Sequence, residues 1–308
     1  MMSTIYETFT SDSNQTTGLD GEAIDPGLAK KRRLKRTTMQ DVIATTKEAT
    51  IKILAKTELE GTRFGYMANK WTAPALNYNS AEFPNLATVV RVVKGDTYDR
   101  ALEMRDAGSE NDYMPVCVLN FANAYKPGGG WLNGSRAQEE QLCYRSTLID
   151  TLHTRFYPMK DLECLYSPNV IVFRNSVDSE YSFMSVDDKL HQNPTVSVIS
   201  MAARSNPELA EGDGLTYKDK AQKYLMIAKM QLILRTAAHN SHRRLVLGAI
   251  GCGAFRHPVQ KVADCWYEVL MKEEFKGWFE KIYFVIRDSP TENNLQIFSE
   301  TLDGLLIA

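Results

Sequence analysis

The sequence predicts an α/β fold, with helices covering both faces of a central sheet. Three observations lead there. From about residue 87 onward, β-branched runs of strand length alternate with stretches of helical period. Two of the strand-like runs end in glycine-rich loops that lead into helix starts, the place where open α/β sheets bind their ligands. The chain has 308 residues and is 44% hydrophobic, ample for a core of that size.

Residues 1–24 are rich in Ser, Thr, Asp and Gly and hold few large apolar groups to offset the entropy of ordering, so a disordered tail is expected. Asp25-Pro26 reads as a helix start, with Asp as the cap and Pro at the first helical position. Met39, Val42, Ile43, Ile53 and Leu54 then continue a helical stripe through Lys56. Within it, Lys30-Lys31-Arg32-Arg33-Leu34-Lys35-Arg36 reads either as a nuclear import signal or contact for an anionic polymer, or as the solvated face of a surface helix. From Gly61 to Pro84 the residues Trp71, Pro74 and Pro84 break any long element, and an irregular segment is expected.

Strands are expected at 87–93, 114–121, 169–173, 196–201, 245–250 and 282–286, and helices at 97–105, 138–154, 217–238, 259–272 and 293–302. Residues 178–194 and 205–214 read as exposed loops, and no internal repeat is present. Residues 25–308 are expected to form one domain, in which 25–85 is an accessory N-terminal helical region.

Composition narrows the function. A net charge of -2 argues against general or sequence-specific nucleic-acid binding. No window has the apolar length of a membrane span, and the N-terminus carries neither the positive start nor the apolar stretch of a secretory signal. The five cysteines, Cys117, Cys143, Cys164, Cys252 and Cys265, show no CxxC spacing and mostly fall in hydrophobic runs. They read as reduced, buried thiols of a nuclear or cytoplasmic protein. The histidines do not cluster with cysteines or carboxylates at ligand spacing, so no metal is expected.

The chemistry concentrates in residues 126–148, KPGGGWLNGSRAQEEQLCYRSTL. Gly128, Gly129 and Gly130 form an entropically costly triplet, suited to positive φ or to close approach of backbone to a ligand. Amides bared there, beside a helix start, suit phosphate. The helix opens with Gln138-Glu139-Glu140, setting two carboxylates within a turn of that loop. Adjacent helical residues point about 100° apart, so the two glutamates take different roles. A second loop, Gly251-Cys252-Gly253-Ala254-Phe255, follows the strand at 245–250, with a helix starting near Pro258. Neither loop has the Lys-Ser or Lys-Thr of a P-loop or a GxGxxG pattern. Taken singly, each feature has an ordinary structural explanation, since first-turn glutamates complement the helix dipole and glycine turns are common.

The joint spacing is more specific. Glycine triplet, short spacer and Gln-Glu-Glu resemble the signature of the poly(ADP-ribose) glycohydrolases. Asn120-Phe121-Ala122-Asn123 before the triplet, and Trp131-Leu132-Asn133-Gly134 in the spacer, are similar to the microbial-type branch. The resemblance implies a macrodomain fold: a three-layer sandwich with a mixed central sheet of about six strands and helices on both faces, on which the N-terminal helices pack as an accessory layer. It implies hydrolysis of the ribose-ribose O-glycosidic bond of poly(ADP-ribose), mainly at chain ends, through an oxocarbenium-like transition state. Glu140 would be the catalytic glutamate, protonating the leaving hydroxyl and then deprotonating the attacking water. Glu139 would hold the ribose and its leaving oxygen, and Gln138 would position the loop.

The same resemblance gives Asn123 the hydroxyls of the distal ribose, although on the residues alone it reads equally as a turn former before Pro127. It gives both glycine loops (Gly128, Gly129 and Gly130; Gly251, Cys252, Gly253 and Ala254) the diphosphate, and Phe255 the wall of the ribose pocket. No cofactor is implied. The partners would be poly(ADP-ribose), ADP-ribosylated proteins and the product ADP-ribose, bound by a monomer. Arg204 reads as a phosphate contact or a surface arginine and Asp96 as a helix cap, while no residue stands out to stack on adenine. Two alternatives use the same fold: an ADP-ribose reader without activity, which has no need of two carboxylates, and a hydrolase of mono-ADP-ribosyl adducts. A helix N-terminus lowers a carboxylate's pKa and burial raises it, and the sequence leaves that balance open.

Overall fold

The β-branched runs become one mixed sheet. The computed structural model describes residues 26–56, 62–106, 116–184, 194–212 and 214–307, with side chains in the first helix from Met39 onward. Its strands are β1 (Tyr66–Ala68), β2 (Thr88–Lys94), β3 (Val116–Phe121), β4 (Cys164–Ile171), β5 (Thr195–Met201), β6 (Arg244–Leu247), β7 (Lys281–Ile286) and β8 (Leu306–Ile307), in the order β1-β4-β5-β3-β6-β7-β2-β8. The five strands from β5 to β2 are parallel, while β1, β4 and β8 join antiparallel toward the two edges.

Parallel strands covered on both faces should read as continuous apolar runs, and β5 and β6 are buried along their whole length. Successive side chains enter opposite cores, as strand geometry requires. Cys117 and Leu119 of β3 meet the core under α4 (Lys220–His239), α5 (Val259–Leu270) and α6 (Asn294–Leu302), where Met230, Trp266 and Phe298 are fully buried. Val116 and Val118 meet the core under α1 (Pro26–Lys56), α2 (Thr97–Asp106) and α3 (Gln138–Arg145), with Ile43, Tyr98 and Leu142. This three-layer arrangement is the expected fold class.

The differences lie at the sheet edges and at element ends. Eight strands replace about six, because β1 forms within the segment expected to be irregular and β8 closes the other edge. The expected N-terminal helices are a single one among the described residues. The tail expected at 1–24 and most of the loop at 178–194 lie outside the described residues; within the latter, Tyr181 is buried rather than exposed.

The strand expected at 169–173 instead spans Cys164–Ile171 across an irregularity between Ser167 and Val170. Pro168 lacks an amide and Asn169 takes φ 52°, so this stretch mimics a turn in sequence. The helix expected at 138–154 stops at Arg145, because Ser146 leaves it to bridge Val172 and Thr147 N donates to Ile171 O (3.0 Å). At the start of α4, Asp219 caps Ala221 N at 2.8 Å, three residues into the expected helix.

Arg145 ties the α3 end to the sheet edge that carries the site. Its guanidinium is buried, pairs with Asp96 and with Asp99 (2.5 Å), and donates through Nε to Arg174 O (3.0 Å). Asp96 in turn caps α2, accepting from Tyr98 N at 2.8 Å and Asp99 N at 3.2 Å. Removing one partner of a buried pair leaves the other uncompensated. Arg145→Met is therefore expected to cost about 3 kcal/mol, read as a lower urea midpoint at unchanged slope; a midpoint equal to wild type would contradict this.

Candidate active site

Because β3 and β6 pair side by side in parallel, their following loops open next to each other at one edge of the sheet. That pairing runs only from Val116 to Val118, after which β6 diverges. Gln138, at the start of α3, takes over the vacated edge of β3: its Nε2 donates to Leu119 O (2.7 Å) and its Oε1 accepts from Phe121 N (2.9 Å). The glutamine thus fixes where α3 begins relative to the strand, and the two glutamates after it are carried to defined places.

Glu139 and Glu140 are both buried, at 3% and 6% exposure. Glu139 Oε2 accepts from Asn123 N (2.8 Å), and its Oε1 lies 3.4 Å from Asn120 Nδ2. Glu140 Oε1 accepts from Gly130 N (2.7 Å). The other oxygen, Glu140 Oε2, is buried and has no hydrogen-bond partner among the described residues; Asn120 Oδ1 and Tyr157 Oη share that condition.

The triplet earns its glycines here. Gly128 and Gly129 have φ of 68° and 57°. A Cβ on Gly129 would sit 2.5 Å from Glu140 Oε1 and 2.9 Å from Glu139 Oε2. The triplet is therefore folded onto the carboxylates: the amide of Gly130 is bound to Glu140, and that of Gly129 to Lys126 O (2.9 Å). The expectation that these amides stand bare for phosphate does not hold for Gly129 and Gly130, whose N–H groups are held by Lys126 O and by the buried Glu140 carboxylate. Asn123 behaves as the turn former of the bland reading with its Oδ1, which accepts from Tyr125 N (2.8 Å) and Lys126 N (3.0 Å). Only its Nδ2 remains to donate to a sugar.

The second loop is the open one. Gly251 takes φ 79° and packs on His257, whose Nδ1 meets Tyr217 Oη (2.8 Å) and whose Nε2 meets Arg204 O (2.7 Å). No hydrogen bond engages the amides of Gly253, Ala254 or Phe255 among the described residues. They border a cavity of roughly 630 Å³, within the usual range for small-ligand sites. Its wall includes Gln138, Gly251, Cys252, Gly253, Ala254 and Phe255. Asn123, the triplet and the two glutamates are not in the wall; they lie beside it, behind the N-terminus of α3.

Sequence reasoning missed Phe121, Arg136, Arg287 and Asn294, which also line the cavity. Arg136 sits in the spacer next to the motif and could have been noticed there. Arg287 and Asn294 come from the β7 end of the sheet and have no sequence signal of their own. Asp96 caps α2 as expected, while Arg204 is exposed and pairs with Asp161 (2.8 Å), the surface reading.

Burial pushes the Glu139 carboxyl up to about 8, with the neighbouring Glu140 adding to the rise and the hydrogen bonds from Asn123, Asn120 and Gly128 opposing it. For this residue burial outweighs the helix dipole. The Tyr157 phenol and the Cys143 thiol are also raised, by burial first and then by Glu139.

A family model describing the microbial-type poly(ADP-ribose) glycohydrolase catalytic domain matches residues 9–175, more than half of the chain. The chain belongs to the microbial-type poly(ADP-ribose) glycohydrolase family. The match spans the triplet and Gln138-Glu139-Glu140 but ends before Gly251, so the second loop enters the comparison through the fold. The solved poly(ADP-ribose) glycohydrolase of Thermomonospora curvata is 24% identical with a TM-score of 0.71, over 86% of this chain and 100% of that one. Its complex with the inhibitor ADP-HPD gives 23%, 0.67, 86% and 99%. The Deinococcus radiodurans glycohydrolase in complex with ADP-ribose is 25% identical with a TM-score of 0.61, over 80% of this chain and 98% of that one. No match was found among curated proteins.

The raised Glu139 pKa has a stability consequence. The folded protein holds this proton more tightly than the unfolded chain, whose glutamate titrates near 4.5. The contribution is whole below pH 4.5 and is lost as pH rises toward about 8. Wild type should accordingly lose on the order of a few kcal/mol across that window, and Glu139→Gln, which cannot ionise, should lose less. Parallel stability-pH curves for the two proteins would contradict the assignment.

Proposed function

We propose that this glycohydrolase cleaves the ribose-ribose O-glycosidic bond at the ends of poly(ADP-ribose) chains, with Glu140 as the proton-transferring residue. The observation that carries the assignment is the Glu140 carboxylate itself. One oxygen is fixed by the Gly130 amide and the other is buried without a hydrogen-bond partner among the described residues, held beside a cavity of ligand size. A buried polar atom left unpaired costs stability, and such costs concentrate where a substrate supplies the missing contact.

The bound inhibitor and ADP-ribose of the Thermomonospora and Deinococcus proteins support placing ADP-ribose in the cavity. The free amides of Gly253, Ala254 and Phe255 suit the diphosphate, with Arg136 as a nearby cation. The adenosine then extends toward Phe121, Val285 and Asn294, and the distal ribose toward Asn123 Nδ2 and the two glutamates. Arg287, paired with Asp178 at 2.7 Å, spans the adenosine end and favours a terminal unit over an internal one. Contact with Glu140 Oε2 requires the triplet to move aside, and glycine makes that rearrangement cheap.

Glu140 protonates the leaving 2′-oxygen as the C1–O bond breaks. An oxocarbenium-like sugar forms, and Glu140 then takes the proton of the water that attacks it. Glu139, uncharged at neutral pH, does not compete as a base; its carboxyl holds the Asn123 loop and offers a hydrogen bond to a ribose hydroxyl. The partners on this reading are poly(ADP-ribose) and the proteins that carry it.

Glu140→Ala should lower polymer hydrolysis by several orders of magnitude while ADP-ribose affinity stays within about tenfold. The assay follows polymer loss and free ADP-ribose together, and equal loss of activity and affinity would reassign Glu140 to a structural role. Gly129→Ala, which adds a Cβ where both carboxylates lie, should also lower kcat. Activity is expected to survive EDTA; a chelator-sensitive enzyme restored by magnesium or zinc would contradict a metal-free mechanism.

A further inference from the structure

The cavity accounts for one unit of a polymer, and its place in the sheet says where the next unit lies. Apart from α3 with Arg136 and Ala137 just before it, and Val177, its wall comes from Phe121 of β3, the end of β7, and the segments that follow β6, β7 and β2 as far as the first residues of α2 and α6. The segments bordering β5, β4 and β1, on the other side of β3, contribute only Val177 to it. With the terminal unit in the cavity and its distal ribose at the glutamates, as proposed above, the scissile bond faces that second side. The unit on the leaving-group side begins there.

The loop between Asn123 and Gly129 forms this side. Met159 N donates to Ala124 O (2.8 Å), which fastens the loop to the segment ahead of β4. Tyr125 N and Lys126 N are held by Asn123 Oδ1, and Gly129 N by Lys126 O. Four hydrogen bonds thus fix the backbone, yet the Tyr125 side chain is 77% exposed, with exposed Lys126 next to it. Exposed aromatic residues are common and mean little singly. This one stands two residues from Asn123 and three from Gly128, on backbone that has already lost its freedom. A rigidly mounted aromatic beside a cation is the composition of a nucleotide-stacking platform.

We propose that Tyr125, with Lys126, forms a leaving-group subsite in which the tyrosine stacks on the adenine of the penultimate ADP-ribose unit and the lysine meets its diphosphate. The subsite rests on the glycohydrolase reading for its occupant, and the test separates the two.

Binding of ADP-ribose and of an ADP-ribose dimer is measured by calorimetry on full-length Glu140→Gln protein, and hydrolysis of the dimer is followed on wild type. The dimer should bind about tenfold tighter than the monomer. Adding Tyr125→Ala should remove that gain with monomer affinity unchanged, Tyr125→Phe should keep it, and Tyr224→Ala, an exposed tyrosine on α4, should change nothing. A dimer that gains nothing, a gain that survives Tyr125→Ala, or a Tyr125→Ala protein that loses monomer affinity in step would overturn the subsite. A wild type that shows the full binding pattern but releases no ADP-ribose would instead overturn the glycohydrolase reading and uphold the subsite.

Discussion

The burial of two adjacent carboxylates under a glycine loop is the constraint on which the site depends. Glu139 and Glu140 point different ways around α3, and each is reached by an amide of the loop before it: Asn123 for the first, Gly130 for the second. Such bonds to backbone N–H groups are what make buried carboxyls tolerable. They also explain the glycines, since any side chain on Gly129 would occupy the space of both carboxyl groups. Loop and helix start are therefore one unit, and neither holds its shape without the other.

The rest of the fold holds that unit in register. Gln138 hydrogen-bonds β3 where β6 has left it, and the Tyr144 hydroxyl shares its proton between Trp131 O and Ser135 O, both at 2.8 Å, closing the spacer onto α3. Behind them α1 backs the same helix, with Thr46 Oγ1 donating to Tyr144 O (3.0 Å) and Lys47 lying over the Trp131 ring. Arg145 anchors the far end to α2. Rigid elements thus carry the glutamates, while the contacts left for a ligand come from loops, a division that favours precise chemistry on an adaptable surface.

The two glycine loops, alike in sequence, behave differently for one reason. The first is followed by carboxylates that turn inward and take its amides. The second is followed by Pro258, which opens α5 without acidic residues in its first turn, and its Gly253, Ala254 and Phe255 border the cavity. The amides of these three residues are accordingly unengaged among the described residues, while those of Gly129 and Gly130 are already held.

The sequence by itself determined the layered α/β class, five of the eight strands in nearly their observed places, and the residues of both loops and of Gln138-Glu139-Glu140. These are local signals, carried by side-chain period, by glycine and by residues a few positions apart. Only the tertiary structure decided what depends on distant partners. The short edge strands β1 and β8 are defined by the strands they join, and α3 ends at Arg145 because Ser146 and Thr147 pair with β4. That Asn123 and Gly130 serve the carboxylates through their amides, that Glu139 is lifted to about 8, and that Arg287 and Asn294 line the cavity are likewise matters of burial and strand order, which no stretch of sequence contains.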